Sequence, residues 1–144
     1  MSRERVRRAD RVVEVRARAV DVIELELSVL LQRSAHALQA VDAARLTWQT
    51  ALSAPQELRC SSADLALAHS HRLALARSVQ SLSAIEQKAR LDETACRQRL
   101  CAAKMDVKKL ETWRDRLLET TRTTETLHEQ RVTDEMAARI ARSA

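Results

Sequence analysis

Ser53-Ala54-Pro55-Gln56-Glu57-Leu58-Arg59-Cys60-Ser61-Ser62 contains the only proline of a 144-residue chain that has no glycine. Average usage is roughly 7% glycine and 5% proline, and these residues let a backbone turn. A chain almost without them can reverse rarely, and this stretch is the one place equipped to do so. Pro55 has no N–H to donate and pushes Ala54 out of the α region, so a helix arriving from the N-terminal side ends there. Ser61, three residues before Asp64, is placed to cap a second helix that has a carboxylate in its first turn. The expectation is all-α: one antiparallel two-helix coiled-coil hairpin, with helix one over 2–54, a bend over 55–61 and a longer helix two over 62–141.

Outward from the bend, apolar residues recur in sevens. Val6, Val13, Val20, Leu27, Ser34, Val41 and Trp48 form one set, and Ala9, Arg16, Ile23, Leu30, Ala37, Ala44 and Ala51 follow three places on. This is an a/d heptad pattern, interrupted at Arg16 and Ser34. Helix two gives a positions Leu65, Arg72, Val79, Glu86, Glu93, Leu100 and Val107. Its d positions are Ala68, Leu75, Leu82, Ala89, Cys96, Ala103 and Leu110. Pairing residues whose numbers add to about 116 matches a with d along the whole length. It sets Val6 beside Leu110, Val20 beside Cys96, Val41 beside Leu75 and Trp48 beside Ala68, with Leu58 at the centre. Large side chains then mostly meet small ones, as interdigitated packing needs.

In that register residues 2–54 pair with 62–114. About 30 residues of helix two, ~45 Å at 1.5 Å each, are left without a partner in the chain. Leu117, Leu127, Val132, Met136 and Ile140 give this overhang the apolar positions of a partner surface. The β-branched cluster Thr120, Thr121, Thr123 and Thr124 is expected to weaken the helix locally.

The net charge of +5 is unevenly spread. Residues 1–18 carry seven arginines against three acids, 19–96 nine acids against seven bases, and 97–144 eleven bases against eight acids. A chain folded back at Pro55 brings its two basic segments together. The cluster Arg3, Arg5, Arg7, Arg8, Arg11, Arg16 and Arg18 reads equally as a solvated helix start or as a surface for an acidic partner. Nucleic acid is disfavoured, because stacking aromatics and recognition motifs are absent. Trp48 reads as a packing residue, whereas Trp113 is divided between seam and partner contact.

Catalysis has no foothold. Without glycine there is no phosphate-cradling loop or dinucleotide fingerprint. His69 and His71 point to different helix faces, as do Cys96 and Cys101, and His36, His128 and Cys60 have no co-ligand nearby in sequence. The three cysteines read as reduced thiols. No enzyme activity, cofactor, metal or small-molecule substrate is expected. Glu14, Asp21, Glu24 and Glu26 interrupt the apolar runs of the N-terminal half, which excludes a secretory core or a membrane span and points to the cytoplasm.

Near the C-terminus the sequence resembles a known family. Lys108-Lys109-Leu110-Glu111-Thr112-Trp113 and Glu129-Gln130-Arg131-Val132-Thr133-Asp134-Glu135-Met136-Ala137 resemble the flagellar FliJ family, which includes the type III secretion stalk proteins called YscO or SctO. The resemblance implies a non-catalytic central stalk. Such a stalk inserts into the hexameric export ATPase, couples it to the export gate at the inner membrane, and in some members binds chaperones. By motif match it assigns Glu129, Gln130, Arg131, Asp134, Glu135 and Met136 to the ATPase-facing end, with Arg5, Arg7, Arg8 and Arg11 joining them through the hairpin. Leu58 and Leu65, at the bend, would face the gate or chaperones. The alternative is a basic coiled-coil adaptor or scaffold that binds nucleic acid or self-associates.

Overall fold

A computed structural model describes residues 2–54 and 61–143. They form two helices, α1 (Ser2–Ser53) and α2 (Ser62–Ser143), and no strand occurs among the described residues. Pro55, Leu58 and Cys60 lie outside them. The start of α2 is a capping box. The Asp64 N–H donates to Ser61 Oγ at 3.2 Å, and Asp64 Oδ2 accepts from the Ser61 N–H at 3.1 Å and from the Ser61 hydroxyl at 2.7 Å. These bonds occupy orphan donors of the first turn. They also hold the Asp64 carboxyl below its ordinary range, the side-chain hydroxyl contributing most. At the other boundary the Ala54 N–H donates to the Thr50 carbonyl at 3.1 Å.

By its contacts the chain divides into unit 1, residues 1–22 with 100–144, and unit 2, residues 23–99. In unit 1 the first turns of α1 pack antiparallel on the second half of α2. Ala9, Val13 and Val20 are buried, and across from them Val107, Leu110, Arg114, Leu117 and Leu118 are half-buried and Thr121 buried. All but Leu118 of these α2 residues continue the heptad positions of helix two. Arg16, the blemish in the α1 pattern, is exposed, and Ala17 beside it turns partly inward.

The register differs from a sum of about 116 by roughly one heptad. Val6 shares a groove with Leu118 and Thr121 rather than Leu110, and Val20 lies with Val107 rather than Cys96. A seven-residue repeat matches itself when displaced by seven, so the apolar pattern cannot choose between the two. Charges flanking the seam accompany the observed one: Arg3 pairs with Glu125 and Asp10 with Arg114.

The overhang is correspondingly shorter. Contact between the helices reaches Glu125, and every described side chain from 126 to 142 is exposed. These seventeen residues make ~26 Å of helix past the paired stretch, in place of ~45 Å. The threonine cluster does not interrupt α2, and its hydroxyls bond back to carbonyls three or four residues earlier.

Unit 2 is also an antiparallel pair, with Val41, Ala89 and Cys96 buried. The Cys96 thiol lies 3.8 Å from the Ile23 carbonyl, and Glu26 pairs with Arg99. Arg72 Nε donates to the Ala51 carbonyl at 3.0 Å, where a sum of about 116 would set it beside Ala44. Three a positions here are charged. Arg72 is held by that carbonyl, and Glu86 and Glu93 are each paired with an arginine one turn on, Arg90 and Arg97. Leu65, the first expected a position of α2, is exposed.

Candidate functional site

No cluster of metal-ligating residues occurs among those described, and the grooves along the unit 1 seam are open helix surfaces. The best-defined surface is the end of unit 1 where α1 begins. Arg3 grips Glu125 with two hydrogen bonds, Nε to Oε1 at 2.8 Å and Nη2 to Oε2 at 3.3 Å. This fork-on-carboxylate geometry is the strong form of an ion pair. The Arg3 hydrogen bonds keep the Glu125 carboxyl below its ordinary range, and the same bonds, with a smaller field from Glu129, raise the Arg3 guanidinium. Arg7 and Arg122 stand beside the pair, over Val6, Leu118 and Thr121. The result is a mainly basic groove with an apolar floor.

Beyond Glu125 come Glu129, Gln130, Arg131, Asp134, Glu135 and Met136, all exposed on the single-helix stretch of α2. Val132, Met136 and Ile140 recur at i+4 spacing, so they share a face of the helix. Of the arginines expected to join this segment, Arg8 pairs with Glu4 on its own helix. Arg5, Arg7 and Arg11 are exposed and make no ion pair with a described residue. Instead Arg3 reaches toward the segment, through Glu125 and the field of Glu129. Leu65 is exposed in unit 2, and Leu58 lies outside the described residues.

The sequence reading passed over Arg3, Asp10, Arg114, Arg122 and Glu125. The signal for them was present. Carrying the α2 heptads on past Leu110 reaches Arg114, Leu117 and Thr121 and puts Glu125 at a flanking e position, as Asp10 is on α1.

The family model described as Flagellar FliJ protein matches residues 6–144. The chain belongs to the flagellar FliJ family. No curated protein and no solved structure matches it. Membership makes it a component of flagellar-type protein export with a stalk-like, non-catalytic role. No helix among the described residues is long and apolar enough to cross a membrane.

Proposed function

We propose that the chain is the central stalk of a type III or flagellar export ATPase. In this reading the chain is a two-helix antiparallel coiled-coil hairpin, and the α2 stretch beyond Glu125 enters the hexameric ring. Glu129, Gln130, Arg131, Asp134, Glu135 and Met136 meet the ATPase there, with Arg5, Arg7, Arg8 and Arg11 at the collar of the ring. The opposite end, around Leu58 and Leu65, meets the export gate or chaperones at the cytoplasmic side of the inner membrane. The observation that carries the reading is family membership over 6–144, in a chain whose α2 exposes every described side chain from 126 to 142.

The test uses the purified chain and its cognate ATPase. Full-length protein should bind the hexamer and raise ATP hydrolysis, and a chain ending at Glu125 should do neither while keeping its helical signal. Equal stimulation by the truncated chain would remove the ring-insertion reading.

A further inference from the structure

The two flanks of the unit 1 seam are chemically different, and of the second the stalk reading uses only Arg5 and Arg8. Asp10 at e on α1 lies 3.8 Å from Arg114, which levels the helices and marks one flank. The e and b positions on that side comprise Arg3, Arg7, Lys104, Lys108 and Arg122 against Asp10, Glu14, Asp21, Glu111, Asp115 and Glu125, a near balance. The opposite flank consists of g and c positions, and g faces g in an antiparallel pair. There Arg5, Arg8, Lys109 and Arg116 stand against the single acid Asp106. Asp106 is already paired with Lys109 at 3.6 Å.

Among these bases lies an apolar strip. Val12 and Trp113 are both g positions, two residues after Asp10 and one before Arg114, so they face each other across the seam. Trp113 is 49% exposed, Val12 45%, and Val15, one turn on, 63%. Tryptophan is the residue type that most often dominates binding energy when an interface covers it.

We infer that this flank receives an amphipathic helix from a partner protein. Its apolar stripe lies on Trp113, Val12 and Val15, and carboxylates along its edges meet Arg5, Arg8 and Arg116. The commitment to an acidic helix rests on charge. Arg8 is paired with Glu4 and Lys109 with Asp106, whereas Arg5 and Arg116 make no ion pair with any described residue, so two exposed guanidinium groups on this flank lack an anion. A lipid surface shares the charge preference but needs a wide, bulky apolar face, and two valines beside one indole do not supply it. Helix-in-groove docking needs only anchors at i, i+3 and i+4 spacing.

The inference shares Arg5 and Arg8 with the collar of the proposed ring but rests on Trp113, Val12, Val15 and Arg116, which that reading does not use, and it is tested on the full chain. The probe is a labelled synthetic helix of about 20 residues, long enough to be helical alone. Leucines form one stripe and glutamates the edges; a matched peptide carries lysines at those edges. Fluorescence anisotropy reads affinity, and Trp113 emission in a Trp48→Phe background reads location. The glutamate peptide should bind, shift Trp113 emission to the blue, and weaken about tenfold with Trp113→Ala or Arg116→Glu. Leu127→Ala should leave its affinity unchanged.

Arg116→Glu alters an exposed residue, so it tests the surface even if Trp113→Ala disturbs the seam. Absence of binding, equal binding of the lysine peptide, or indifference to Arg116→Glu would overturn the inference. So would preferential binding to phosphatidylcholine–phosphatidylglycerol vesicles, which would assign the flank to lipid. ATPase stimulation should survive Arg116→Glu; its loss there would give the flank to the ATPase instead.

Discussion

Within unit 1, residues 100–125 and 126–142 belong to one unbroken helix with similar composition, yet only the first is packed. Between 100 and 125 a side chain turns into the seam every three or four residues, and Thr121 is buried. Between 126 and 142 every side chain faces outward. An isolated helix of that length is marginal in water, so the first stretch is helical because it is packed, and the second is carried as an extension of it. The difference separates positions that hold the fold from positions available to a partner.

The sharpest way to break this comparison is a buried charge. Val20→Asp should destabilise unit 1 by about 2 kcal/mol or more, because it desolvates a carboxylate in the seam, a cost that Lys104 and Lys108 of the same groove offset only in part. Val132→Asp should change the denaturation midpoint by no more than about 0.5 kcal/mol equivalent. Comparable losses in urea unfolding would mean that 126–142 is packed as well.

Overpacking is milder. Ala9, 1% exposed, sits where the helices touch, and Ala9→Leu should cost about 1–3 kcal/mol. Ala137→Leu, on the exposed stretch, should cost nothing measurable by thermal melting. The helix caps come next: Ser61→Ala removes the hydroxyl from the capping box and should cost about 1 kcal/mol.

The smallest effect belongs to the last contact before the packing ends. Glu125→Gln removes the fork from Arg3 and should produce a small drop in melting temperature that added salt erases. Its pH dependence has a fixed sign. Glu125 is held below its unfolded value, so the contribution is complete above the ordinary carboxylate range and fades as pH falls through the folded value. Asp64 behaves alike. In hydrogen exchange, amides of 126–142 should exchange far faster than those of 100–120, and equal protection would dissolve the distinction altogether.

The sequence pattern made most of the seam legible. Every expected a or d position among the described residues turns at least partly inward except Arg16 and Leu65. Capping at Ser61 was equally plain, since it depends on residues three apart. Register was not legible, because a heptad repeat is unchanged by a displacement of seven. That one ambiguity put Val6 beside Leu110, lengthened the free stretch of α2, and hid Arg3 with Glu125. Of the candidate site, the terminal motif falls on exposed helix, and among the N-terminal arginines it is Arg3 that meets Glu125, four residues before that motif. A cross-helix neighbour cannot be named until the register is known.

The threonines from 120 to 126 have a consequence for anything that approaches them. Thr120, Thr121, Thr124 and Thr126 each donate the hydroxyl proton to a carbonyl of their own helix. The threonine hydroxyls of this stretch are thereby left with spare lone pairs but no free O–H proton. A neighbouring surface meets their methyl groups, and the grip is left to Arg122 among them.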